Sequence, residues 1–269
     1  TKNEQPVAKV FDKYLLKSEV SSFIPQGTPS KDSLIMAQSY VRNWITKELL
    51  LHKATQNLSD EEKNSLYKNS TMFVFPTFSE DYSSSILIHK YKEKLISQKL
   101  SREISEREIS QYYDANKFNF VLNTPVVRAL FVVIPKSAPK IEDARKWFRS
   151  KEAKDQEALE EYCITSAKKF DSFNDQWIEL RNLLNLLPIT SAEWESKYKN
   201  KESIEIEDDE NYYFLKINEI RQAHETAPLN YVKKEIEILL LNKRKISFEE
   251  NLEKDINAEG LRKDYVKIY

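Results

Sequence analysis

Glycine is nearly absent from this chain. Gly27 and Gly260 are the only two among 269 residues, where ordinary usage of about 7% would place roughly 19. A GxGxxG turn or a Walker-type loop cannot be built from them, so nucleotide cradles that rely on close backbone approach are excluded. Other common site chemistries are missing as well. A single cysteine, Cys163, excludes an internal disulfide, and His52, His89 and His224 are far apart, with no HExxH or Cys/His metal spacing. No apolar run reaches the roughly 18 residues of a membrane helix. Lys and Arg number 42 against 43 Asp and Glu, which gives no global attraction to nucleic acid or to an anionic membrane. With 40% hydrophobic residues, a chain of this length buries one large core or two modest ones.

The opening Thr1-Lys2-Asn3-Glu4-Gln5-Pro6 is polar and ends in a breaker, so it reads as a short tether. A removed export signal leaves such a start. So does a lipoprotein acylated on a Cys just upstream, and so does an arbitrary segment boundary. Val7 to Phe11, Tyr14 to Leu16 and then Val20, Phe23 and Ile24 predict a strand or small hairpin, closed by the turn Pro25-Gln26-Gly27-Thr28-Pro29. Ser30 is expected to cap a helix running to about Thr55, with Leu34, Ala37, Val41, Trp44, Ile45 and Leu49 on one apolar face. Ser59 to Glu62 and Ser105 to Glu108 read as capping boxes. Between them lie the aromatic stretch Met72-Phe73-Val74-Phe75-Pro76-Thr77-Phe78 and a helix over about 79–100.

After Pro125 the pattern changes. Val126 to Ile134 is a continuous β-prone run, the mark of a strand buried on both faces. Helices are expected from Ile141 to about Ser150, from Glu157 to about Phe170, and around Trp177, Leu180, Leu184 and Leu187 before Pro188. Ile204 and Ile206 alternate with acids into Glu207-Asp208-Asp209-Glu210, a natural hairpin turn ahead of the strand Tyr212 to Ile217. A long helix follows from about Pro228, with Gly260 just past its expected end, and Tyr265 to Tyr269 is a final β-prone run. The first and last strands each need a partner, and pairing the two termini satisfies both.

This order of elements resembles the SurA-type periplasmic chaperones that carry a parvulin-like prolyl isomerase module. The resemblance rests on Val7-Ala8-Lys9-Val10 with Lys17-Ser18-Glu19-Val20, on Ile104-Ser105 through Glu108-Ile109 with Tyr112-Tyr113, and on Tyr212 to Ile217. It implies an α+β fold. A mostly helical chaperone-like domain is built from residues 1–124 and 222–269, with the terminal strands paired, and a parvulin-like α/β module is inserted at 125–221. Parvulin modules usually open with Ala-Arg-His-Ile-Leu and close with Gly-Tyr-His-Ile-Ile-Lys-Val. Here Val127-Arg128-Ala129-Leu130-Phe131 puts Ala129 at the first histidine, and Asn211-Tyr212-Tyr213 puts Tyr213 at the second. The glycine-containing loop between them is missing, and Cys163 does not match the position of the family's site cysteine. The module therefore reads as degenerate, with no catalytic residue to assign. Isomerase activity through a variant site, or a non-catalytic envelope scaffold, is the alternative.

The resemblance implies a periplasmic folding factor that binds unfolded or extended polypeptide, with outer-membrane proteins among the expected clients and no nucleic acid, metal or cofactor expected. A lipid anchor through an upstream Cys stays open as an expectation beside the other readings of the start. The expected peptide-binding residues are Trp44, Phe73, Phe75, Phe78 and Tyr82, because aromatics give large, adaptable contact area and Pro76 interrupts any helix through the stretch. Tyr40 and Tyr91 are candidates for the same groove or for the core. The acids at 205–210 read as a solvated turn rather than a cation site, Cys163 as a small core residue and His89 as a surface residue.

Overall fold

The computed structural model describes residues 5–69, 80–173 and 176–269. In chain order the elements are β1 (Pro6–Val10), β2 (Lys13–Leu16), α1 (Lys17–Phe23), α2 (Ser30–Asn57), α3 (Asp60–Asn69), α4 (Glu80–Lys99) and α5 (Glu106–Ala115). They continue with β3 (Val126–Pro135), α6 (Ile141–Arg149), α7 (Ala153–Ser166), β4 (Lys169–Ser172), β5 (Ile178–Glu179), α8 (Leu180–Leu184) and α9 (Ser191–Glu193). The last are β6 (Ser203–Glu207), β7 (Asn211–Arg221), α10 (Leu229–Arg262) and β8 (Val266–Ile268). The fold is α+β, with antiparallel sheets.

Contacts divide the chain into two units, Thr1–Glu103 with Leu240–Tyr269, and Ile104–Leu239. Segments 104–124 and 222–239, which the sequence reading groups with the helical domain, therefore fall in the second unit. These two segments are bonded to each other, and both run directly into strands of the second unit's sheet, β3 and β7. The Tyr113 hydroxyl donates to the Ala227 carbonyl at 2.6 Å, the Leu122 N–H to Glu225 at 2.9 Å and the Ala227 N–H to Phe120 at 2.8 Å.

In the first unit a three-stranded sheet is ordered β2-β1-β8. Its β1–β2 hairpin turns at Phe11, whose φ of 51° is left-handed. The Phe11 ring stacks on His52 at 3.9 Å and meets Tyr265 at 4.8 Å, contacts that offset the steric cost of that backbone. The predicted strand character ends at Leu16. Val20 and Phe23 lie on a helix instead, because the Glu19 carboxylate accepts the Leu16 N–H at 2.7 Å and caps α1. Ser30 is the first residue of α2 rather than its cap, which is Pro29. Leu34, expected on the apolar face, is 60% exposed, since the core packs only against α2 beyond it. The box at Ser59 and Glu62 forms, with bonds of 2.7 and 3.2 Å. Ala8, Val10, Leu15, Ile45, Leu49, Leu50, Tyr91, Ile256 and Val266 make the core. On its flank Lys92 of α4 reaches Glu253 and Glu249 of α10 at 2.6 and 3.3 Å.

The second unit holds a sheet ordered β4-β3-β7-β6, with β5 beside β3. Strand β3 is buried on both faces. Val127, Ala129, Phe131 and Val133 pack against Leu183, Leu187 and Trp194, while Val132 and Ile134 pack against Ala144, Phe148, Leu159 and Cys163. The helix expected to reach Phe170 stops at Ser166, because Lys169–Ser172 pairs with the edge of β3 that β7 leaves open. The helix expected around Trp177 shrinks to Leu180–Leu184, the preceding pair having joined β3 as β5. Ser105 and Glu108 cap α5 reciprocally at 3.3 and 2.9 Å.

Gly260 lies within the last turn of α10, not beyond it. A Cβ there would stand 2.8 Å from Leu49 Cδ1 and 3.1 Å from Val266 Cγ2, so the missing side chain lets α10 approach α2 and β8 closely. Gly260→Val is expected to cost about 1–3 kcal/mol, as overpacking does, read as a lowered urea midpoint at unchanged m-value.

Candidate functional site

Ala129 and Tyr213, the two positions that the sequence sets against parvulin histidines, share one face of the second unit's sheet. Ala129 pairs with Ile217, and Tyr213 with Val133. Four residues of strand separate the two positions, about 13 Å at about 3.3 Å per residue, so the register does not bring them together. Ala129 is fully buried in the apolar cluster with Phe131, Leu183, Leu187 and Trp194. The Tyr213 hydroxyl donates to Asp208 Oδ2 at 2.7 Å, and that carboxylate raises its pKa. Cys163 is buried on the opposite face, and burial pushes its thiol up to about 12. At neutral pH it is a thiol, not a thiolate nucleophile. His89 is exposed on α4, 3.6 Å from Glu93.

The acidic turn is occupied by its own backbone. Asp208 Oδ1 accepts the Glu210 and Asn211 N–H groups at 2.9 and 2.7 Å while Oδ2 holds Tyr213, tying the β6–β7 hairpin. These bonds, that from Tyr213 foremost, hold the Asp208 carboxyl down to about 2.

A different site opens in the first unit. An apolar groove of about 1100 Å³ runs among α1, α2, α10 and β8. Val20 and Ile24 line it from α1 and the residue after it, Ala37, Val41 and Ile45 from α2, and Leu261, Val266 and Ile268 from the returning end of the chain. The i, i+4 spacing of Ala37, Val41 and Ile45 turns these three to one side of α2. Asn257 Nδ2 donates to Thr46 Oγ1 at 2.8 Å and clips α10 to α2 along the groove. Lys17, Arg42, Lys254, Glu250 and Glu253 stand among the lining residues.

Of the expected peptide-binding residues, Phe73, Phe75 and Phe78 lie outside the described residues. Trp44 is half-buried against the core of the helical unit, and Tyr82 is exposed on α4; neither lines the groove. Tyr40 packs on Phe23 with ring centroids 4.6 Å apart, and Tyr91 is a core residue. Sequence reasoning passed over the groove because its lining comes from aliphatic residues of four separate segments. The one available signal was the pairing of the terminal strands, which carries Val266 and Ile268 back to α1 and α2.

Several solved structures align along most of the chain. Two are SurA-like chaperones of Campylobacter jejuni, a group that includes the virulence factor PEB4 and a periplasmic protein. One is 17% identical, with 95% of this chain and 98% of the other covered and a TM-score of 0.29; the second is 12% identical, with 98% and 99% covered and a TM-score of 0.40. In this alignment the chain is similar to SurA-like chaperones. A foldase protein, PrsA, from Lactococcus lactis is 13% identical over 98% of this chain and 94% of its own, with a TM-score of 0.25. No family model matches the chain, and no curated protein matches it significantly. Among the described residues no helix is long and apolar enough to cross a membrane.

The hydrogen bonds at Asp208 predict a pH effect of definite sign. Its folded pKa lies below the unfolded value near 3.9, so the stability it contributes is present above about pH 4 and is lost as pH falls through about 2. The stability difference between the wild type and Asp208→Asn should be constant from pH 5 to 7 and shrink in that acid window, as read by urea unfolding across pH.

Proposed function

We propose that the protein is an extracytoplasmic folding factor that binds extended apolar polypeptide on its helical unit, with unfolded outer-membrane proteins among its clients. The observation that carries this reading is the open apolar groove among α1, α2, α10 and β8. The surface it exposes is mostly apolar, with aliphatic side chains bordered by polar and charged ones, and contiguous apolar surface of this kind marks an interaction site. Apolar contact is non-directional, so binding through this surface is sequence-tolerant and micromolar, about −8 kcal/mol. The aromatic stretch with Phe73, Phe75 and Phe78, together with Trp44 and Tyr82, supplies a second contact region for the same clients. A periplasmic location, with or without a lipid tether, belongs to this reading.

The parvulin-like unit is proposed to be catalytically silent. Twisting a prolyl amide against a barrier of about 18–20 kcal/mol needs preorganised polar groups around an open pocket. Ala129 lies in packed apolar surroundings, and Tyr213 is engaged with Asp208. The alternative of an active isomerase finds no polar cluster at these positions.

Two measurements test these points. Suppression of aggregation of a urea-denatured outer-membrane protein should require about tenfold more Val41→Asp variant than wild type, since a carboxylate in the groove opposes apolar binding. The Phe73→Ser/Phe75→Ser/Phe78→Ser variant should weaken protection to a comparable degree. Unchanged protection by either folded variant removes that surface from the client site. In a proline tetrapeptide assay, wild type and Ala129→His should both stay near the uncatalysed rate. A rate like that of an ordinary parvulin, lost on substitution near Ala129 or Tyr213, would reverse the assignment.

A further inference from the structure

Strand β8 is an edge. The sheet order β2-β1-β8 leaves one of its sides unpaired among the described residues, and that strand lines the apolar groove through Val266 and Ile268. The register states which groups face outward. Phe11 donates its N–H to Tyr265, and Tyr269 donates its own to Val7, at 2.9 and 3.1 Å. In an antiparallel ladder hydrogen-bonded pairs alternate with non-bonded ones. Lys9 and Lys267 are therefore a bonded pair, whereas Val266 and Ile268 turn their N–H and C=O groups away from β1 toward the open side. Val266 and Ile268, the residues with outward-facing backbone, both line the groove.

Charge narrows the occupant. Lys9 and Lys267 stand directly opposite each other on the other face of the sheet, a like-charge pairing that costs stability. Lys267 has no ion pair among the described residues. A second copy adding its own β8 at this edge would bring another lysine into the same row, the kind of charge that guards an edge against self-pairing. Along the groove Lys17, Arg42, Lys254 and Glu250 have no ion pair among the described residues, whereas Glu253 is held by Lys92, so the groove side carries charge of both signs and the preference for one sign comes from Lys267. On the groove side the edge presents apolar Val266 and Ile268, and on the other side Lys9 and Lys267, so it calls for an incoming strand that is apolar on the first side and acidic on the second.

We propose that an extended client segment adds to the open edge of β8 as an antiparallel strand, with apolar residues in the groove and alternating acidic residues beside Lys267. This rests on the groove as the client site and adds to it a binding mode and a sequence pattern. Main-chain hydrogen bonds then give affinity and the alternating side chains give preference, as in strand addition generally.

The test uses the whole protein and fluorescein-labelled eight-residue peptides, with binding followed by anisotropy. In antiparallel addition the peptide residues that bond to Val266 and Ile268 share their face, so they are the apolar ones. A peptide alternating Val and Glu should bind, and N-methylation of its two central Val residues should weaken binding at least tenfold. N-methylation of its two central Glu residues should change binding less than threefold. The Val/Lys peptide should bind at least tenfold more weakly than Val/Glu, and Lys267→Glu should reverse that order. Equal binding of the Val-methylated and unmodified peptides would overturn strand addition while leaving the groove as the client site. Failure of every peptide and of a denatured outer-membrane protein to bind would overturn both. A dimer that strengthens in Lys267→Ala and resists the Val/Glu peptide would assign the edge to a second copy, and would also overturn the proposal.

Discussion

The helical unit depends on one long-range pairing, that of β1 with β8. Three register pairs, Ala8 with Ile268, Lys9 with Lys267 and Val10 with Val266, join segments at opposite ends of the chain. The β1–β2 hairpin is local and closes through a two-residue turn. The packing of α10 on α2, with Gly260 against Leu49 and Asn257 bonded to Thr46, sets the position from which β8 pairs with β1. Because loop-closure entropy grows only logarithmically, each doubling of the intervening chain costs about 0.6 kcal/mol. A whole second unit between Glu103 and Leu240 is therefore thermodynamically inexpensive to accommodate. Its cost falls on the folding rate, since such non-local contacts form late.

Scarce glycine leaves its mark on the backbone. Phe11, Lys140, His224 and Asp264 take positive φ without being glycine, and Gly27 is the one glycine that does so. For an L-residue that conformation costs roughly 1–2 kcal/mol, which local contacts must offset. Phe11 does so by stacking on His52 and Tyr265, and these contacts tie the hairpin turn to α2 and to the end of the chain. Asp264 sits in the short connection that reverses the chain from α10 into β8, where Tyr265 N–H reaches the Gly260 carbonyl at 2.9 Å. Two of these four left-handed positions, counted among the described residues, thus flank the β1–β8 pairing on which the unit relies.

Where the sequence carried a strong local code, that code and the structure agree. The boxes Ser59–Glu62 and Ser105–Glu108, the run Val126–Ile134 and the acidic hairpin turn combine composition with spacing that specify one local geometry. Agreement is weaker where tertiary contacts decide. Lys169–Ser172 follows a helix and has no strong intrinsic preference, yet the open edge of β3 takes it as a strand. Gly260 looks like a helix terminator, but its missing Cβ serves a close approach visible only in three dimensions. The groove was the least legible feature. Aromatic residues draw attention in a sequence, yet Tyr91 is spent in the core and Trp44 on its margin, while the groove is lined by ordinary aliphatic residues from separate segments.

The two units use their apolar residues differently, and this bears on where binding can occur. In the second unit β3 is enclosed on both faces by Leu183, Leu187 and Trp194 on one side and by Phe148, Leu159 and Cys163 on the other. Apart from the partly buried Leu130, the apolar side chains of its central strand from Val126 to Ile134 are buried, so that strand offers a client little apolar surface. In the first unit the core face of the sheet is filled at Ala8 and Val10, yet Ile268, on the same face of β8, remains 64% exposed. Its backbone polar groups also point away from the sheet. A strand with an exposed apolar side chain and outward-facing backbone groups is incompletely satisfied in both respects at once. An extended polypeptide supplies both missing partners in a single docking event, which a rigid globular surface could not do without presenting an open edge of its own.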